Sequence, residues 1–135
     1  GGRIVLSAWP PDGALQEISG AAAGMVKAAL GVPEGPPQFG WHDLDALSAL
    51  FAPHGLRVEL AERSVEFTGP SVEHYLDEQA STHPMAVSGF AVLQRHGRAD
   101  ELRGRLREIL EAANEDPGAF RLTSPYVVAT VRADD

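Results

Sequence analysis

The sequence contains no cysteine. That excludes disulfides and thiolate-held metal sites, and it fits a cytoplasmic protein. Basic residues are few: 11 Lys and Arg stand against 19 Asp and Glu, a net charge of −8. Such a balance repels phosphate backbones and anionic lipid, so neither nucleic acid nor a membrane is an expected partner. Long apolar runs are missing too. The alanine-rich stretch carries Glu17 and Lys27 and cannot span a bilayer. No basic leader with a long apolar core is visible. The five histidines, His42, His54, His74, His83 and His96, form no H-x-x-x-H pair and no metal set. There is no G-x-S-x-G elbow, so a serine hydrolase has no support. What remains, over residues 1–135, reads as one soluble domain large enough to bury a core.

The chain opens on Gly1-Gly2-Arg3-Ile4-Val5-Leu6-Ser7-Ala8-Trp9-Pro10-Pro11. Ile4, Val5 and Leu6 are an unbroken apolar run of strand formers, the pattern of a strand covered on both faces. Pro10-Pro11 stops it. Asp12 is placed to cap a helix from about Gly13 to Leu30, with Leu15, Ile18, Ala22, Met25, Val26, Ala29 and Leu30 on one stripe. Gly20 and Gly24 weaken that helix and would let another backbone come close. Gly31 to Gly40 is a Gly/Pro loop. Asp43 caps a helix over Leu44–Ala52, which Gly55 ends in the left-handed conformation.

Leu56 to Thr68 is a long strand pattern. Its apolar residues change parity, from Leu56, Val58 and Leu60 to Val65 and Phe67, which predicts a bulge or bend between Ala61 and Ser64. Ser71 caps a helix that ends near Thr82, and Pro84 opens the next, with Met85, Ala86, Phe90 and Leu93 along one side. Gly97 breaks that helix. A third runs from about Asp100 to Asn114, with Leu102, Leu106, Ile109, Leu110 and Ala113 as its buried stripe. After the turn Asp116-Pro117-Gly118, Phe120 to Arg132 is apolar on both faces and reads as a central strand.

The opening Gly-Gly-Arg-Ile-Val-Leu, followed by Trp9, Asp12 and Gly13, resembles the middle of a class I S-adenosylmethionine-dependent methyltransferase of the small-molecule, type 11-like kind. Its fifth sheet strand follows a "PGG" turn and is often written "GGR" plus three apolar residues, with "W-x-P-x-G" after it. Gly31-Val32-Pro33 through Phe39-Gly40-Trp41 resembles a Pro-rich loop of these enzymes. Asp43–Phe51 with Pro53-His54-Gly55-Leu56 resembles the helix that enters their sixth strand. The likeness covers the whole chain but only the C-terminal half of the family domain. The family's G-x-G-x-G cofactor loop and its ribose-binding acid are absent from this sequence.

The resemblance implies an α/β, partial Rossmann-like fold. Its three-stranded sheet has the order first, third, second, with the last strand antiparallel. Helices cover both faces, and Gly13–Gly40 with Ser71–Asn114 form an inserted cap. It implies the acceptor-substrate half of a methyltransferase for a small molecule, inactive without the cofactor-binding half. S-adenosylmethionine would bind only with that half, and the isolated chain is expected to hold no cofactor and no metal. The alternative is a non-catalytic small-ligand or protein-interaction module.

Trp9 follows the first strand at its carboxyl end, where open α/β sheets place ligands; packing under the next helix is the other reading. Tyr75, His83 and Met85 lie on the cap segment that faces the acceptor in the family. Against that, Tyr75 and Met85 at helical spacing read as core, and His83 as an exposed cap. The apolar edge of the first strand implies a homo-oligomer or pairing with a cofactor-binding half.

Overall fold

A computed structural model describes residues 2–133. Gly1 of the opening motif and the acidic end Asp134-Asp135 lie outside the described residues. The chain runs through strand β1 (Arg3–Ala8), helices α1 (Ala14–Leu30) and α2 (Leu44–Phe51), strand β2 (Leu56–Gly69), helices α3 (Val72–Thr82), α4 (Pro84–Arg95) and α5 (Ala99–Ala113), and strand β3 (Phe120–Ala133). The strands form an open antiparallel sheet in the order β1-β3-β2. β3 is therefore central, as its two-faced apolar pattern predicts. No helix among the described residues is long and apolar enough to cross a membrane.

The chain divides into two compact units, and the division falls inside both long strands, after Val65 in β2 and before Ser124 in β3. The first unit holds the residues up to Pro11, Pro36–Val65, and those from Ser124 on. β1 pairs with β3 from Arg3 opposite Arg132 to Ala8 opposite Val127. Two arginines facing each other on adjacent strands are unfavourable. Here Glu59 of β2 takes the Arg132 guanidinium and relieves the pair. Leu47 of α2 and Ala129 and Val131 of β3 are buried. Asp43 starts α2 as predicted, its carboxylate accepting from the backbone N–H of Asp45 at 2.8 Å and of Ala46 at 3.2 Å. Gly55 takes the left-handed turn after it, at φ 67°.

β1 departs from expectation. The apolar run reads as a strand covered on both faces, yet Ile4 is 46% and Val5 55% exposed. An unbroken apolar run reports strand propensity but not the number of neighbours, and β1 has one strand partner among the described residues.

The second unit holds Asp12–Gly35 and Glu66–Thr123. These segments lie close to those predicted to form a cap. Val72, Tyr75 and Leu76 of α3, Leu93 of α4, Leu102, Leu106 and Leu110 of α5, and Phe120 and Leu122 of β3 make its core. The inner stripe of α1, including Leu15, Ile18, Met25 and Val26, packs partly buried against that core. Ser71 caps α3 by accepting from the His74 N–H at 3.1 Å, and Pro84 opens α4.

Three details of the α1 region are corrected. Asp12 does not cap the helix. Gly13 stands at the cap with φ 94°, a backbone conformation that strains any residue with a Cβ. Leu30 is exposed rather than on the inner stripe. A Cβ built at Gly20 or Gly24 meets nothing within 4 Å, so no backbone comes close there.

The parity change in β2 is present in its burial. Leu56, Val58, Leu60 and Ala61 are the sheltered residues of its first part, and Phe67 and Gly69 of its last. The strand itself runs unbroken from Leu56 to Gly69, and Val65 is 36% exposed instead of turned inward. The two ends of β2 belong to different units, so each end shelters the residues its own unit can cover.

Two polar devices hold the second unit. Asn114 closes the turn from α5 into β3. Its side-chain N–H groups donate to the carbonyls of Asp116 and Ala119, both at 2.9 Å. Its Oδ1 accepts from the N–H of Asp116 at 3.1 Å and of Arg121 at 2.9 Å. That uses the whole hydrogen-bonding capacity of the side chain. Between α3 and α5, Arg103 bonds Glu73 at 2.8 Å and Asp77 at 2.7 Å, and Arg107 bonds Glu73 as well. The Arg107 hydrogen bond, then that of Arg103, holds the Glu73 carboxyl at about 2 instead of its ordinary 4.5.

Asn114→Ala should cost about 1–3 kcal/mol in denaturant unfolding, because partly buried backbone groups lose their partners. Asn114→Asp should not be milder, because a carboxylate oxygen would face the Asp116 and Ala119 carbonyls to which the amide donates. The Glu73 cluster predicts an acid effect with a definite sign. Between pH 4.5 and about 2 the folded chain binds fewer protons than the unfolded one, so stability falls as pH drops through that window. Glu73→Gln should flatten that part of the pH profile of urea midpoints. An unchanged slope would show that the pair does not contribute.

Candidate functional site

The ladder between β1 and β3 stops for a reason written into both strands. β1 is followed by Trp9-Pro10-Pro11, and β3 carries Pro125 two residues before the last paired position, Val127. Proline has no N–H to donate, so neither chain can extend the ladder from these positions. Where pairing ends, the strands leave a cleft of about 300 Å³ lined by Ser7, Ala8, Trp9, Val65 and Tyr126. All five belong to the first unit.

The Trp9 and Tyr126 rings meet edge to face, with centroids 6.0 Å apart and planes at 68°. This is a favourable arrangement for ring quadrupoles. Trp9 is 43% exposed, so it lies at the surface of the cleft and is not buried under a helix. Val65 supplies apolar wall from β2. Ser7 and Tyr126 carry the only side-chain hydroxyls of the lining, and neither is hydrogen-bonded to another described residue. Among the described residues, no Asp, Glu, His, Lys or Arg lines the cleft. The arrangement can hold an apolar ring and offer it hydrogen bonds. It contains no nucleophile–base pair. Among the described residues no group of three His, Asp or Glu side chains could hold a metal ion.

The four residues predicted to line a pocket fall in different places. Trp9 is in the first unit, beside Tyr126. Tyr75, His83 and Met85 are in the second. Tyr75 is 8% exposed, its ring 4.6 Å from that of Phe120 and 6.4 Å from that of Phe67. Burial, and then the charge of Glu78, push its phenol pKa up. His83 joins two helices, closing α3 through its N–H to the Gln79 carbonyl and standing before Pro84 of α4. Met85 is 75% exposed, which overturns its alternative reading as a core residue. Sequence reasoning missed Ser7, Ala8, Val65 and Tyr126 as cleft residues. The available signal was Pro125, an unexpected residue in a central strand, which marks where pairing must fail.

No family model and no curated protein matches the chain.

Burial separates the two aromatic candidates in a testable way. Tyr75→Ala should destabilise the chain by about 3–5 kcal/mol, the usual range for losing a buried aromatic ring. Trp9→Ala, at the rim of the cleft, should cost well under half as much. Thermal unfolding of both variants by circular dichroism checks the ranking, and a larger loss for Trp9→Ala would reverse the assignment.

Proposed function

We propose that this chain is the acceptor-substrate side of an S-adenosylmethionine-dependent methyltransferase acting on a small molecule, inactive alone and completed by a cofactor-binding half. The supporting observation is the strand order β1-β3-β2 with β3 antiparallel to β1. That is the order and direction of the fifth, seventh and sixth strands in the family the sequence resembles, and the Rossmann-like character of the sheet is part of the proposal. The cleft beside Trp9 lies at the carboxyl end of β1, where open α/β sheets bind their ligands.

The residues present do not fit the methyl donor. The turn after β1 passes through two prolines, which offer no N–H to a ligand, and no Gly-rich turn with a following ribose acid occurs in the sequence. The chain's own contribution is to bind and shield the acceptor. Ile4 and Val5, exposed on β1, are the surface for the completing half or for a second copy of the chain. The same exposed surface favours the second reading, an interaction module without catalysis.

Calorimetric titration of S-adenosylmethionine into the 135-residue chain should give no binding. The chain joined to the Gly-rich first half of a class I methyltransferase should bind it with a micromolar Kd, about −8 kcal/mol. Micromolar binding by the chain alone, or a joined protein that folds and does not bind, overturns the reading.

A further inference from the structure

We infer that the cleft bounded by Trp9, Tyr126 and Val65 takes an uncharged, flat ring compound of one or two fused rings bearing a hydroxyl or amino group, of the phenol, naphthol or indole class. The inference rests on the reading of the chain as an acceptor-binding half, and it names the class of acceptor.

The size limit comes first. About 300 Å³ lies at the lower end of small-molecule sites and matches one or two fused rings. Charge comes next. A carboxylate, phosphate or ammonium against the two rings would lose part of its hydration, and no described residue of the lining carries an opposite charge to replace it. An anion meets a further penalty from the net charge of −8.

Shape is set by the rings. Trp9 and Tyr126 stand at 68° to each other, so a third ring can stack on one while meeting the edge of the other. Ala8 and Val65 complete the apolar wall. The Ser7 and Tyr126 hydroxyls supply what an all-carbon ring could not use, a donor or acceptor for one polar substituent. A hydroxyl or amino group on the ring is also the atom that a methyl transfer would modify.

The test uses the chain as it is. 2-Naphthol, naphthalene, 2-naphthoate and a naphthylmethyl-trimethylammonium salt are titrated in turn. Binding is followed by the Trp9 indole N–H and Tyr126 ring signals in NMR spectra. The expected result is saturable shifts with 2-naphthol and weaker ones with naphthalene, while the anion and the cation bind least. Ser7→Ala combined with Tyr126→Phe keeps both rings and removes both hydroxyls. It should weaken 2-naphthol by up to about tenfold, the worth of one net hydrogen bond, and leave naphthalene unchanged.

Equal or tighter binding of either charged ring overturns the inference, as does the absence of shifts at Trp9 and Tyr126 with 2-naphthol. So does an equal loss for naphthalene and naphthol in the double variant. Failure of the two readings is separable. If the chain binds 2-naphthol while a folded joined protein binds no S-adenosylmethionine, the cleft assignment stands and the methyltransferase reading falls. If the joined protein methylates only charged acceptors, the ligand class falls and the methyltransferase reading stands.

Discussion

Backbone hydrogen bonding offered by β3, and the proline that withdraws it, governs the arrangement of the first unit. β3 is the central strand, so β1 and β2 depend on it for their place in the sheet. From Val127 onward it pairs with β1. At Pro125 the backbone has no proton to give, and on the facing strand Pro10 and Pro11 have none either. The sheet is thereby opened at one point by covalent chemistry rather than by a loop, and the cleft is the space that results. Its walls come from the end of β1 and from the interiors of β2 and β3.

The start of β3 is anchored with equal care. Asn114 ties the end of α5 to Ala119 and Arg121, and Glu115 reinforces the tie through the backbone of Arg121 at 2.9 Å and the N–H of Thr123. A strand with alternating burial tolerates no slip of one residue, because a slip would turn Phe120 and Leu122 out of the core. The asparagine turn fixes that alignment at the point where the strand begins. Asn114 therefore acts on packing several residues away through geometry alone.

Much of the fold was legible because its punctuation is local. Asp43, Gly55, Ser71 and Pro84 act within one turn of their own position, and each does what its chemistry predicts. The stripe of α5 was legible because four leucine or isoleucine side chains repeat at helical spacing. Features that depend on partners distant in sequence were not. The exposure of Ile4 and Val5 depends on how many strands flank β1, and the exposure of Val65 on where the chain divides into units. Asp12 was misread because the preference of an acid for a cap position gave way to the positive φ that only Gly13 adopts easily. In the cleft, Trp9 could be named from its place after a strand. Tyr126 could be reached only through the neighbouring Pro125, which marks a break in pairing but not which strand end lies opposite.

The pairing of Arg3 with Arg132 also sets an order in time. β1 is synthesised well before β3, its one strand partner among the described residues. At roughly 5–20 residues per second, β1 waits on the order of ten seconds before β3 exists. The helices of the second unit need nothing beyond Thr123 and can pack before the rest of β3 has left the ribosome. Throughout that interval Ile4, Val5 and Leu6 lack the ladder that β3 provides, and an apolar strand without it is a substrate for a holding chaperone. The first unit is thus closed only once β3 has been made, and any pause in translation shortly before Ser124 would lengthen the life of its most aggregation-prone form.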